Sequence, residues 1–593
     1  MSTKALDLTI AIGGAAGQGI ATPGNILARI FARRGLHLYS YNAHQSIIRG
    51  GHILLLLRVG DREVLSHGDC IDLLLCLNQD TMDRHLGLLG DGARVLYNSD
   101  DVEPGEPAPG VHLCPMPVKQ LTGDSKNKVI QNTLSLGVMM SLLGADFELL
   151  AAALKESLGK KGPDVVAENV SVARAGFDHA AANFESFPVP LPKGGKPLAV
   201  WAGNDALAMG GAAAGVKFYT AYPMSPASGV LHWMAQNGRN LGIMVRQVED
   251  EIGVANMAIG AAHTGVRAMC ATSGGGFALM TEAIGSAAMM EIPVVFINVM
   301  RAGPSTGVPT KTEQGDLRQV LGASQGDFER FIVAPLNALD AYNSVPELFN
   351  LVDRAQCPGI ILSDLLISEG TFSVDPDAIN LQPKIDRGAL VMDPSPNGDY
   401  HRYADTETGI SPRVVPGHEG FVHIVATDEH DEAGVLISDE FTNPFIRRQM
   451  VEKRARKFGT VARDVPAPKI EGPKKADVTL VGFGSTYGVI KEALADLAGH
   501  DVTANQLAIK WIVPFHAAEV AAALGKAMKI IIVENNFSGQ FAQYLRGETG
   551  ISAHAHIRKY DGEPLTPRHI VHGVLDIITQ GTAIHVPTQE IRV

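Results

Sequence analysis

VRAMCATSGGGFALMTEAIGSAAMMEIPVVFINVM, residues 266–300, is the stretch that decides the fold. An apolar run ends in Thr-Ser-Gly-Gly-Gly, a stretch with helical spacing follows, and a second apolar run closes it. Strands apolar along their whole length are buried on both faces, as in parallel sheets covered by helices. Outward toward the N-terminus lie two more strand candidates, KFYTAY (217–222) and IMVRQV (243–248). The helical stretch IGVANMAIGAAH (252–263) precedes the quoted segment. This alternation predicts a doubly wound α/β domain with its ligand site at the C-terminal strand ends.

At 593 residues the chain exceeds one core and divides into several domains. The Pro/Gly-rich FPVPLPKGGKP (187–197) separates a first unit, 1–186, from the α/β unit, 198–384. A polar stretch rich in Pro, Asp, His and Arg, 385–472, reads as an extended connector. A further α/β unit, 473–593, opens with DVTLVGFGS and continues through KIIIVENN (529–536).

Composition narrows the function classes. Hydrophobic residues make up 46% and charged residues 19%, as a well-packed globular protein needs. The net charge of −13 argues against nucleic acid or an anionic membrane as the main partner. No apolar run reaches the ~18 residues of a membrane span, and the start resembles no signal peptide, so the expected location is the cytoplasm. The five cysteines (Cys70, Cys76, Cys114, Cys270 and Cys357) form no CxxC pair. They read as buried thiols, and no metal or iron–sulfur site is expected on this chain.

Near the N-terminus, an alternating strand runs into GGAAGQG (13–19), followed by helical spacing that Gly35 ends. Its glycines miss the GxGxxG dinucleotide pattern, and no acid lies between Asp7 and Asp61 to grip a ribose. Arg29, Arg33, Arg34, Arg49 and Arg58 could favour an anion such as coenzyme A, but a tight structural turn with solvated arginines is the simpler expectation. GDG at 90–92 imitates the start of a thiamine-diphosphate metal motif; Asn98 follows too soon, and a hairpin turn is expected instead.

Three pieces of the α/β unit sit near strand C-termini. YPMSPAS (222–228) is stiffened by Pro223 and Pro226, fixing the Ser225 hydroxyl. VEDEIG (248–253) sets Glu249, Asp250 and Glu251 at a helix head, where acids often just complement the dipole. One turned inward would be a buried carboxylate awaiting an N–H or cationic partner. RAGPSTGVPTKTEQGDL (301–317) offers Arg301 at a strand end, able to grip a carboxylate by two parallel bonds, with Lys311 as a second cation. Between them, TSGGGF (272–277), which opens with Thr272, Ser273 and Gly274, lets a ligand approach the backbone closely. Each piece alone has a bland structural reading.

Taken in order, YPMSPAS, VEDEIG, ATSGGGFALMTEAIG and RAGPSTGVPTKTEQGDL resemble the alpha subunit of 2-oxoacid:ferredoxin oxidoreductases. YADTETGISPR, TDEHDEAG, MVEKRARK and VENNFSGQ add to the likeness, and GGAAGQGI with SIIRGGH resembles the family's gamma module fused ahead of alpha. The resemblance implies a gamma-type domain, a pyrimidine-binding thiamine-diphosphate domain and a transketolase C-terminal-like domain. It implies that Glu251 bonds the pyrimidine ring nitrogen, with Tyr222, Pro223, Thr272, Ser273 and Gly274 around the cofactor. It also implies that Ser225 and Arg301 hold the substrate, Ser225 standing where the family has threonine. The implied reaction turns a 2-oxoacid, coenzyme A and oxidised ferredoxin into acyl-CoA, carbon dioxide and reduced ferredoxin.

The magnesium motif and the cluster cysteines are missing here, and the family keeps both in a beta subunit. An alpha2beta2 assembly is therefore expected, with Mg2+ and a 4Fe–4S cluster in beta. The expected substrate is 2-oxoglutarate, with Lys311 or beta taking its distal carboxylate. Pyruvate, branched-chain 2-oxoacids and a non-catalytic assembly subunit remain alternatives.

Overall fold

Apolar side chains on both faces leave a strand no stable place except between helix layers, and the central unit takes that arrangement. In the computed structural model, which describes residues 5–45, 50–123, 130–189, 191–192, 194–393, 400–438 and 442–588, six parallel strands form its sheet. They are β1 (Val216–Ala221), β2 (Met244–Gln247), β3 (Arg267–Thr272), β4 (Val295–Met300), β5 (Phe331–Val333) and β6 (Gly359–Asp364). Their spatial order is β5-β6-β4-β3-β1-β2. Every residue of β3, β4 and β6 is buried.

The chain winds outward from β1 to the edge strand β2, then returns past β1 to β3 and continues in the opposite direction. The winding reverses between β1 and β3, and such a switch point opens a crevice at the strand C-termini. Helix α1 (Glu251–His263) leaves β2, and helix α2 (Gly274–Met289) leaves β3. Both helix heads therefore face that crevice.

Sheets are shared between units. The N-terminal sheet has eight strands, and its edge is completed by Thr371–Val374 and Ala199–Ala202 from the flanks of the central unit. The central sheet in turn accepts Trp511–Val513, antiparallel to β5, from the last unit, whose own sheet has six strands. On the N-terminal sheet, helices Ile130–Leu142 and Pro163–Asn183 pack at glycine contact. A Cβ on Gly137 would fall 1.9 Å from the Ala173 carbonyl oxygen.

The glycine loop is structural in its packing. Gly13 lies within the strand Asp7–Ala15, and a Cβ there would strike Thr81 at 2.2 Å. Helix Ala21–Arg33 follows, with Gly35 at φ +76° behind it. Arg33 pairs with Glu156 at 2.6 Å, Arg34 donates to the Pro192 carbonyl at 2.9 Å, and Arg58 pairs with Asp7 and Glu492 at 2.7 Å each. Arg49 and the SIIR part of SIIRGGH lie outside the described residues. The expected hairpin at 90–92 is corrected: GDG lies inside the strand Leu89–Asn98, where the register against Ile71–Cys76 shifts in a bulge.

Residues 385–472 do more than connect. Helix α3 (Pro444–Ala462) buries Lys453 and Lys457 against the central unit. Lys453 Nζ reaches both Glu291 carboxylate oxygens at 2.9 and 3.0 Å, and Lys457 Nζ reaches Glu291 Oε2 at 2.9 Å. Arg402 donates to the Glu291 carbonyl at 2.7 Å and to Gln356 Oε1 at 2.9 Å. Burial alone would raise the Glu291 carboxyl, but Lys457, Lys453 and Arg402 hold it well below the usual carboxylate range. The polar composition of this connector does not keep its charges at the surface: Lys453, Lys457 and Arg402 are buried around Glu291.

Among the described residues all five cysteines are free thiols, four of them buried, and no helix is long and apolar enough to cross a membrane.

Candidate active site

Three acids begin α1, and the helix geometry sorts them. Asp250 is the N-cap, its Oδ1 accepting from the Gly253 N–H at 2.7 Å, a local structural role. Glu249 faces water. Glu251, the first helical residue, turns inward and is 4% exposed. Its Oε1 is buried and accepts no hydrogen bond among the described residues. A buried carboxylate oxygen without a donor is costly, so the position is built to meet an N–H that the described residues do not supply.

The wall opposite is made by the head of α2. A Cβ on Gly276 would lie 2.4 Å from Glu251 Oε1 and 2.1 Å from Thr272 Oγ1, so only glycine lets the turn close on the carboxylate. Gly276→Ala is therefore expected to displace Glu251 and lower turnover about tenfold in steady-state assays of the assembled enzyme. Buried polar atoms without partners gather at the same strand ends: Thr220 Oγ1 in β1, Ser273 Oγ after β3 and Asn298 Oδ1 in β4. Thr272 pairs in register with Asn298, and its hydroxyl lies 3.7 Å from Met224 Sδ.

Beside this wall opens a cleft of about 580 Å³, lined by Met224, Gly274, Arg301, Glu313, Asp316 and Gln540 among others. Arg301 donates from Nη1 to the Ser225 carbonyl at 2.6 Å, tying the loop after β4 to the loop after β1. Asn298 Nδ2 donates to Asp316 Oδ2 at 3.2 Å. The far side of the 301–317 loop is stitched to the last unit. Gln314, fully buried, donates to the Phe483 carbonyl at 2.8 Å, while its Oε1 accepts from the Asn535 N–H at 3.1 Å.

Models of known families match most of this architecture. One, described as pyruvate ferredoxin/flavodoxin oxidoreductase, matches residues 9–179. Another, described as pyruvate flavodoxin/ferredoxin oxidoreductase, thiamine diphosphate-binding, matches 209–440. The alpha subunit of 2-oxoacid:ferredoxin oxidoreductase 2 from Aeropyrum pernix is 30% identical, across 97% of this chain and 98% of its own. This chain belongs to the 2-oxoacid:ferredoxin oxidoreductase alpha-subunit family. The 2-oxoglutarate oxidoreductase subunit KorA of Mycobacterium tuberculosis is 30% identical across 83% of this chain and 79% of its own. A solved structure, the 2-oxoglutarate:ferredoxin oxidoreductase from Magnetococcus marinus with 2-oxoglutarate, coenzyme A and succinyl-CoA bound, superposes with a TM-score of 0.91. It is 31% identical, covering 97% of this chain and all of that one.

In this 2-oxoacid:ferredoxin oxidoreductase subunit, the sequence-expected residues divide. Glu251, Thr272, Ser273 and Gly274 converge on the crevice, and Arg301 with the Tyr222–Ser228 loop forms its rim. Tyr222, Pro223 and Ser225 are exposed at that rim. Lys311 stands apart: 8% exposed, it reaches Glu563 Oε1 at 2.5 Å and does not line the cleft. A ligand carboxylate would have to break that pair to reach it. Sequence reading passed over Thr220, Asn298 and Asp316. Asn298 carried a signal, being the one polar residue in PVVFINVM.

Proposed function

We propose that this subunit, joined to a beta partner holding Mg2+ and a 4Fe–4S cluster, decarboxylates 2-oxoglutarate in the cytoplasm. Coenzyme A takes up the succinyl group, carbon dioxide leaves, and the electrons pass through the cluster to ferredoxin. The observation that carries this reading is the unpartnered Oε1 of buried Glu251. The residues fit a pyrimidine ring: a carboxylate for a ring nitrogen, and glycine backbone at Gly274 and Gly276 for close approach. When bound, thiamine diphosphate would supply the carbon nucleophile and electron sink that decarboxylation of a 2-oxoacid needs. Glu251 would hold the proton at the pyrimidine nitrogen, Arg301 would grip the 2-oxoacid carboxylate, and Ser225 would bond its oxo oxygen. The relatives that act on 2-oxoglutarate support the choice of substrate.

A monocarboxylic 2-oxoacid such as pyruvate is the second reading, favoured by one observation. With Lys311 tied to Glu563, Arg301 is the single cation lining the cleft among the described residues, and a second carboxylate would depend on the beta subunit.

The test is reconstitution with beta, coenzyme A and ferredoxin, assaying acyl-CoA formation across a panel of 2-oxoacids. The expected kcat/KM for 2-oxoglutarate exceeds that for pyruvate at least tenfold, and the reverse order selects the second reading. No acyl-CoA from any 2-oxoacid would leave only a non-catalytic assembly role. In the same assay Arg301→Ala should raise KM at least about tenfold, from the loss of a charge-assisted bond, with a smaller change in kcat. An unchanged KM with a crippled kcat would take Arg301 out of that role.

A further inference from the structure

The cleft's charge balance is at odds with an anionic ligand. Among the described residues Arg301 is its one lining cation, and two carboxyl groups, Glu313 and Asp316, share the same walls. Neither acid neutralises Arg301 by direct contact, because the guanidinium is turned to the Ser225 carbonyl. Asp316 is not a loose surface acid either. Asn298, fully buried on β4, donates to its Oδ2, and the carboxyl lies over the first residue of α2. A Cβ on Gly274 would fall 2.5 Å from Asp316 Oδ2 and 2.8 Å from Oδ1. The neighbouring Gln319 amide does not serve it, donating instead to the Gly274 carbonyl at 3.1 Å. Asp316 is thus lodged between β4 and the head of α2, facing the space in which Arg301 would hold a carboxylate.

We propose that Asp316 is a specificity-determining residue that accepts the anionic substrate only in its neutral form, donating a hydrogen bond into the cleft where its ionised form would repel the carboxylate. The inference rests on the reading of Arg301 given above. Burial pushes the Asp316 carboxyl up to about 6, against the opposing effects of the Asn298 hydrogen bond and of Arg301. Glu313 is raised too, first by burial and in part by Asp316, while the Gly303 backbone opposes the rise. Asn298, Gln319 and Gln540 beside Asp316 carry no charge, and Arg318, two residues on, turns its guanidinium away to Gln543. The sign follows: an acid that must be protonated to admit the ligand favours binding below its pKa and disfavours it above. KM should therefore rise with pH above about 6, by up to tenfold per unit.

Asp316→Asn keeps the shape, accepts from Asn298 and can donate, but cannot ionise. In the holoenzyme it is expected to flatten the KM profile between pH 6 and 8, with KM at pH 8 at least about fivefold below wild type. Superimposable profiles would overturn the proposal. A second measurement does not depend on turnover. Oxalate, a planar dianion with no 2-oxo carbon, is titrated calorimetrically into the holoenzyme at pH 7 in two buffers of different ionisation enthalpy. Proton uptake on binding to wild type and to Glu313→Gln, absent in Asp316→Asn, is the expected result. Binding without uptake, or uptake lost in Glu313→Gln instead, overturns the role of Asp316 alone. No oxalate binding to wild type, or binding unaffected by Arg301→Ala, overturns the Arg301 reading with it.

Discussion

Glu251→Ala is expected to lower turnover of the assembled enzyme at least ~10²-fold while leaving subunit assembly intact. Among the described residues the side chain bonds nothing through Oε1, so its removal sacrifices no hydrogen bond with them there. What would be lost is the bond proposed to the cofactor ring: a charge-assisted contact worth about 1.5–3 kcal/mol that would also govern proton transfer at the reacting carbon. Glu251→Gln keeps the volume but cannot share a proton with a ring nitrogen in the same way, and it should lie near the alanine variant. Hydrogen–deuterium exchange at the reactive carbon of bound thiamine diphosphate, followed in the assembled complex, should slow in parallel. Turnover within tenfold of wild type would remove Glu251 from the chemistry.

Glu291→Ala should produce the largest loss of stability. The carboxylate is fully buried and faces two ammonium groups, Lys453 and Lys457, themselves at most 2% exposed. Deleting the acid strands two buried cations, and breaking such a pair costs about 3–5 kcal/mol. A clear fall in the urea midpoint is expected, together with proteolytic release of α3 under native conditions. The triple variant Glu291→Leu, Lys453→Met, Lys457→Met should recover most of that loss, because apolar replacement of a whole buried cluster is often neutral. A triple variant no better than Glu291→Ala would show that the ionic contacts themselves hold α3 in place.

The central sheet was legible because its inner strands, β4 above all, are apolar on both faces and its turns are marked by Gly-Gly-Gly and Tyr-Pro. Which of Glu249, Asp250 and Glu251 turns inward was not, since it depends on where the helix cap falls, and one residue of shift exchanges the roles. The sharing of sheets was hidden for another reason. Thr371–Val374 and Ala199–Ala202 are four residues each, and their pairing joins segments far apart in sequence. The connector misled through composition alone. Met450, Lys453, Lys457 and Val461 fall on one helical face, a stripe that reads as buried only once Glu291 is known to lie opposite. Lys311 was read as a free cation for want of its partner, Glu563, 252 residues away. Asp316 stood inside a quoted motif but drew no attention, because an acid after glycine in a polar loop usually faces water.

A structure of this subunit assembled with its beta partner and thiamine diphosphate tests the central claim most directly. The pyrimidine nitrogen should lie about 2.6–3.2 Å from Glu251 Oε1, with Gly276 backing the carboxylate. A ring bound elsewhere, or a side chain at 251 turned to solvent in the complex, would contradict it.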